Sequence, residues 1–420
     1  MSKKIVLQNG LRVIVHPMSG VNSVTVLVLV GAGSRYENKN INGIAHFLEH
    51  MFFKGALRYP DAKSVSSAID SVGGDFNAFT GKEYVGYYVK VSSQNVKLAC
   101  DVLSDMLIHS KFDSHEIDKE RGVILEEYNM YQDTPMYQVG WDFERLLFGD
   151  QPLGWDQVGT KELIETVTHE DFVDYKSRLY TPDNTVISIV GNIQEQEVLD
   201  LVGQYFTFED NKKVYDWLPF SLNSDEGKVY LRSKKTEQAH IVLGFHGHPE
   251  THEDHYSLNV LSVLLGGNMS SRMFLAVREA QGLAYYIQTS TDDYADTGII
   301  STRAGVQVKR IDEAILAITE EYKKVLSQIP EDEVRKAKDY LKGKLVLRLE
   351  DSEEYAHLLA KHELLHGIVK TPEEILQDIE KVQVADVMRT AQNLFRSSCL
   401  RLAAIGPFDD SKRFEKLLYF

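Results

Sequence analysis

Cysteine is nearly missing: Cys100 and Cys399 are the two in 420 residues, and no C-x-x-C pair occurs. That excludes a disulfide framework and a thiolate metal site, and it sets the expectation of a reducing, cytoplasmic compartment. An excess of positive charge is missing too. Lys and Arg number 46 against 62 Asp and Glu, a formal net charge of −16, which argues against a nucleic-acid partner. No apolar run near the start approaches the roughly 20 residues that a bilayer crossing requires. The longest, Val24–Val30, has the length of a strand. Met1-Ser2-Lys3-Lys4 leads straight into the strand-like Ile5–Leu7, without the apolar segment of a signal peptide or the Arg/Ser-rich pattern of a transit peptide. The expectation is a protein with neither a membrane nor a nucleic acid as partner.

What is present is length and a repeat. A chain of 420 residues is too long for one ordinary core. The opening reads as a hairpin, Lys4–Leu7 and Leu11–His16 around Gln8-Asn9-Gly10, followed by the strand Val24–Val30. Helical periodicity covers Lys63–Val72, Val96–Ile108, a longer stretch from Ser114 as N-cap to Tyr131, and Phe172–Leu179, while Phe76–Val91 reads as two strands. A polar connection then occupies 209–226. Beyond it, an offset of 215 lays Ala239–Phe245 on Val24–Val30 and Leu394-Phe395 on Leu179-Tyr180. One offset that pairs like with like at both ends of a half indicates duplication. The expectation is an α+β chain of two homologous domains, 1–208 and 227–420, each an antiparallel-rich mixed sheet with helices packed on one face.

The most informative stretch is Asn42-Gly43-Ile44-Ala45-His46-Phe47-Leu48-Glu49-His50-Met51. On a helix, residues four apart lie on one face, so His46 and His50 can grip one small cation while Glu49 flanks them. This is H-x-x-E-H, the inverted zincin order. A catalytic zinc takes three protein ligands and keeps one position open, so a third ligand is needed. The helix from Ser114 to Tyr131 offers Glu116, Glu120, Glu126 and Glu127; Glu120 and Glu127 share a face, and Glu126 is turned about 100° from Glu127. A solvated acidic face is the competing reading of that helix. The 215 offset places Leu261, Leu264 and Leu265 opposite His46, Glu49 and His50, so the second half carries apolar core where the first carries the metal face.

His46-Phe47-Leu48-Glu49-His50 followed by Glu120-Arg121-Gly122-Val123-Ile124-Leu125-Glu126-Glu127 closely resembles the inverted-zincin peptidases grouped with pitrilysin, insulysin and mitochondrial processing peptidase. Gly33-Ser34-Arg35-Tyr36-Glu37 and Gly73-Gly74-Asp75-Phe76-Asn77-Ala78-Phe79-Thr80 resemble the family as well, and the likeness covers essentially the whole chain. The resemblance implies one Zn²⁺ per chain held by His46, His50 and Glu127, with Glu120 supporting the site from behind. It implies Glu49 as the base that takes a proton from the attacking water. It further implies that Asn77, Ala78 and Phe79 lie on an exposed edge strand to which a peptide substrate adds, with Phe79 lining a pocket; an ordinary sheet strand is the competing reading. By the same resemblance Arg278 and Tyr285 hold the substrate backbone and the oxyanion.

Shorter members of this family build a closed chamber from two chains. The resemblance therefore implies a homodimer, or a heterodimer, acting as a zinc metalloendopeptidase on unfolded peptides or presequence-like segments. The alternative is an inactive core-type scaffold, or a subunit that requires a different partner chain.

Overall fold

The computed structural model describes residues 2–222 and 227–420, so part of the expected 209–226 connection, residues 223–226, lies outside the described residues. Among the described residues, eleven strands form two sheets. The first contains β1 (Lys3–Val6), β2 (Arg12–Pro17), β3 (Ser23–Val30), β4 (Asp75–Thr80), β5 (Val85–Ser92) and β6 (Thr185–Gly191), in the order β1-β2-β6-β3-β5-β4. The second contains β7 (Val229–Ser233), β8 (Gln238–Gly247), β9 (Ala284–Asp293), β10 (Gly298–Gln307) and β11 (Arg401–Gly406), in the order β7-β11-β8-β10-β9. Each sheet has a single parallel pair, β2 with β6 and β7 with β11, and is otherwise antiparallel. The second order repeats the first without a counterpart of β1. β3 and β8, the strands matched by the sequence offset, occupy equivalent central positions.

The expected opening hairpin forms. Gly10 closes it at φ +89°, a left-handed backbone that glycine reaches without a Cβ clash. Seven of the helices cover the sheets or carry site residues: α1 (Ile44–Phe52), α2 (Val96–Ile108), α3 (Ser114–Asp133), α4 (Pro135–Phe148), α5 (His255–Gly266), α6 (Ile311–Lys324) and α7 (Ser352–His366). Ser114 is the first residue of α3 and not its cap. Asp113 Oδ1 takes that role, accepting from the amide of His115 at 2.9 Å, because an aspartate one residue earlier reaches the free amides of the first turn.

The chain forms two compact units that interleave along the sequence. Unit 1 is 1–128, 156–218 and 346–371; unit 2 is 129–155, 219–345 and 372–420. All strands of each sheet lie on one side of the connection, but each half of the chain supplies a helix to the other half's sheet. In unit 1, Ala356, Leu359 and Ala360 of α7 pack on Ile14, Leu27, Leu29, Val186 and Val190. The opposite face of that sheet is covered by α1 and α2, with the Phe52 and Tyr87 rings 5.2 Å apart. In unit 2, Val139, Phe143, Leu147 and Phe148 of α4 cover Val242, Ile299, Ala403 and Ile405. Ile241, Leu243 and Phe245 of the other face meet α5 and α6.

The α+β class is therefore observed, but each sheet is covered on both faces rather than one. The physical reason lies in the strands: β3 and β6 are buried residue after residue, without the polar alternation of a sheet that faces water. Leu261, Leu264 and Leu265 of α5 are buried core residues, as the offset predicts.

Candidate metal centre

The site is built on α1. Its buried side, Ile44, Ala45, Phe47, Leu48, Met51 and Phe52, anchors the helix, which leaves His46, Glu49 and His50 half-buried on the remaining face. Gly43 precedes the helix at φ +105° and offers no side chain as a cap. Glu37 supplies one from outside. Its Oε1 accepts from the Ala45 amide at 2.9 Å, and its Oε2 accepts from the Gly43 amide at 2.8 Å and from Asn42 Nδ2 at 3.0 Å. A carboxylate suits the positive end of a helix, although burial pushes the Glu37 carboxyl above its ordinary pKa.

Helix α3 brings the acids. Ile117, Glu120 and Ile124 form its buried stripe, Glu126 is exposed, and Val123, although apolar, is 52% exposed. Glu127 Oε1 lies 3.6 Å from His46 Nε2, and its Oε2 lies 3.4 Å from His50 Nε2. Hydrogen bonding to the two histidines holds the Glu127 carboxyl far below its ordinary range. Behind this group, His50 Nδ1 is 2.9 Å from Glu120 Oε1, and Lys54 Nζ is 2.5 Å from Glu120 Oε2. Burial alone would raise the pKa of Glu120, but His50 and Lys54 outweigh it and lower it. His46 Nδ1, in contrast, is buried without a hydrogen-bond partner among the described residues.

These donors fit a zinc ion. Tetrahedral zinc with bonds of about 2.0–2.1 Å separates its ligand atoms by roughly 3.3–3.4 Å. The two measured separations of 3.4 and 3.6 Å lie within a few tenths of that, and one ligand atom from each of His46, His50 and Glu127 lies within 4.8 Å of the others. The imidazole planes are 71° apart, so their lone pairs can converge.

A second group among the described residues, His248, His252 and Asp254, has equally close atoms but lacks this geometry. Its rings are stacked at 3.9 Å with planes 2° apart, so the in-plane lone pairs run parallel, and His252 Nδ1 already accepts the Asp254 amide at 3.0 Å.

Residues 12–151, which contain the cluster, match the family described as "Insulinase (Peptidase family M16)", and residues 166–341 match "Peptidase M16 inactive domain". A Bacillus subtilis protein named "Uncharacterized zinc protease YmxG" is 36% identical over 97% of this chain and 98% of its own length. The chain belongs to peptidase family M16. As an M16 member with this ligand set it is a metallopeptidase, and zinc is its cofactor. Two solved structures share the M16 fold at low identity. A protease from Helicobacter pylori has a TM-score of 0.87 at 24% identity, covering 97% of this chain and 99% of its own. A Pseudomonas fluorescens structure titled as a peptidase M16 inactive domain has a TM-score of 0.90 at 14% identity, covering 97% and 98%.

The other expected site residues lie on β4, on the helical segment Phe274–Glu279 and on β9. β4 lies at the edge of its sheet, with Asn77 exposed. Phe79 does not join the metal face: it packs on the other side of the sheet, 5.5 Å from the His357 ring and 6.1 Å from Tyr84. Alternation of side chains along a strand puts Ala78 and Thr80 on the metal side instead. In unit 2, Arg278 sits over the Phe274 ring at 4.7 Å, and Tyr285, on edge strand β9, is 75% exposed. Sequence reasoning missed Lys54 as a site residue, although it continues the four-residue spacing of His46 and His50. It also missed the tie between Glu49 and Thr80, whose hydroxyl donates to Glu49 Oε2 at 2.5 Å. No helix among the described residues is long and apolar enough to cross a membrane.

Proposed function

We propose that this chain is a zinc metalloendopeptidase whose catalytic base is Glu49. The observation that carries the reading is that His46, His50 and Glu127 converge as a ligand set, while Glu49, on the same half-buried face of α1, stays outside it and is held by Thr80. Zinc, when held there, lowers the pKa of a water molecule and polarises the peptide carbonyl. Glu127 and the two Nε2 atoms hold the ion, and Glu120 fixes the ring of His50 so that Nε2 faces it. Glu49 takes the proton of the attacking water and delivers it to the leaving amine.

Peptide substrates suit the open edge of β4: backbone hydrogen bonds to an added strand tolerate many sequences. Asn77 and Ala78 are the edge residues assigned to that contact, and Phe79 supports the strand from the opposite face. Arg278 and Tyr285 are assigned to the substrate backbone and the developing oxyanion, a role supported by the exposure of Tyr285 and by the donor chemistry of both groups. Since M16 units of this length pair, the working assembly is a homodimeric chamber acting on unfolded or presequence-like peptides. The free thiols of Cys100 and Cys399 support a cytoplasmic location.

The test is Glu49→Gln, assayed for metal content and for digestion of a peptide library with and without chelator. The expected variant keeps its zinc and cleaves nothing. A zinc-loaded Glu49→Gln chain that still cleaves peptides would overturn the assignment of the base, and a wild-type chain that is metal-free and inert would favour the scaffold reading.

A further inference from the structure

Glu49 is a half-buried carboxylate at the working face of α1, and a base in that position must present one oxygen to the reacting water in a fixed direction. Among the described residues, its hydrogen-bond partner is the hydroxyl of Thr80, 2.5 Å from Oε2. A carboxylate only accepts, so the threonine donates. Thr80 is the last residue of β4, the edge strand, and pairs with Val85 in the β4–β5 ladder. Alternation sends Phe76, Ala78 and Thr80 to the side of α1, where the Phe76 ring lies 5.8 Å from Phe53. One residue therefore has its backbone in the strand that offers an open edge and its side chain on the acid beside the ligand set.

We infer that Thr80 is a positioning residue for Glu49. Its hydroxyl holds Oε2 so that Oε1 is the oxygen left to receive the proton. Through its place in β4, it also registers the acid against whatever peptide backbone adds to the strand edge. The inference rests on the reading of Glu49 as base. It assigns Thr80 no contact with the ion and no proton-transfer step of its own.

The test compares Thr80→Val, Thr80→Ser and Glu49→Gln in the full chain loaded with zinc. Valine keeps the shape and suits a strand but removes the donor. Thr80→Val should lower kcat about 10- to 100-fold, the scale of a misdirected catalytic group, with KM and zinc content essentially unchanged. Thr80→Ser, which keeps the hydroxyl, should return kcat to within about threefold of wild type.

If Glu49→Gln is inactive while Thr80→Val has the wild-type kcat, the positioning role fails and the base survives. If Thr80→Ser is as impaired as Thr80→Val, the methyl group and not the hydroxyl matters, and the inference is overturned. If Glu49→Gln remains active, the underlying reading falls and this inference falls with it.

Discussion

Leu359→Ala probes the dependence of unit 1 on a helix encoded near the far end of the chain. Leu359 is fully buried in α7 against Leu27 and Leu29 of β3 and Val186 and Val190 of β6. Truncation leaves a void whose floor is made of strands hydrogen-bonded on both sides: β3 lies between β6 and β5, and β6 lies between β2 and β3. Such walls collapse poorly. The cost should therefore fall in the upper part of the range for buried leucine, about 4 kcal/mol, out of roughly 5–15 kcal/mol for a typical domain. Amide hydrogen exchange provides the assay, because it resolves the units separately. Globally protected amides of β3, β5 and β6 should exchange about a thousandfold faster in the variant, and those of β8, β10 and β11 should not change. A loss below about 1 kcal/mol in the first sheet, or a loss confined to the second, would refute the assignment of α7 to unit 1.

Zinc uptake should depend on pH through His50. Burial pulls its pKa down, but the hydrogen bonds to Glu120 and Glu127 outweigh burial and raise it from 6.5 to about 9 in the metal-free chain. An incoming ion must displace that proton, so apparent zinc affinity should rise about tenfold per pH unit up to about pH 9. Calorimetry at pH 7 in buffers of different ionisation enthalpy should register about one proton released, and an affinity that is flat between pH 6 and 8 would count against this account. For the metal-free fold the sign is opposite: the raised pKa contributes stability below about 6.5, and that contribution is lost as pH climbs through about 9. Glu120→Gln should weaken zinc binding about 10- to 100-fold in a competition with a chromogenic chelator, and unchanged affinity would remove Glu120 from the site. Gly86→Ala places a Cβ against the Phe79 ring and Leu29 Cδ2, and should cost about 1–3 kcal/mol by thermal or urea denaturation; an unshifted midpoint would mean that Phe79 is not packed there.

Helical arithmetic made two parts of the metal cluster legible, and the family resemblance, not the spacing, singled out Glu127 as the third ligand. A separation of four puts His46 beside His50, and a separation of seven aligns Glu120 with Glu127. Lys54 carried the same four-residue spacing, in the turn just past the end of α1, and was readable in principle. The resemblance names Asn77-Ala78-Phe79 as one stretch, but the two-residue period of a strand sends Phe79 to the face opposite Ala78 and Thr80. The Thr80 hydroxyl and Glu49 meet across 31 positions of chain, so no local pattern joins them. Helix α7 was the least legible part. It has clean ends, with Asp351 accepting from the Glu353 amide and Gly367 at φ +69°, and a buried stripe of Ala356, Leu359, Ala360 and Glu363. None of this names the sheet it covers. Two-sided cover was nonetheless hinted at by the unbroken apolar run of β3, which a one-sided sheet would not need.

The interleaving also sets a clock on synthesis. The last strand of the first sheet is complete at Gly191, but the helix that covers its second face begins at Ser352, about 160 residues later. At roughly 5–20 residues per second, Leu27, Leu29, Val186 and Val190 wait about 8–30 seconds on the ribosome before α7 reaches them. His46, Glu49, His50 and Glu127 have emerged long before then, so the chain holds its whole metal-binding cluster beside a half-covered sheet until translation is nearly finished. Early capture by chaperones, and protection from the cell's other proteases, should therefore matter most while the stretch between Gly191 and Ser352 is being made.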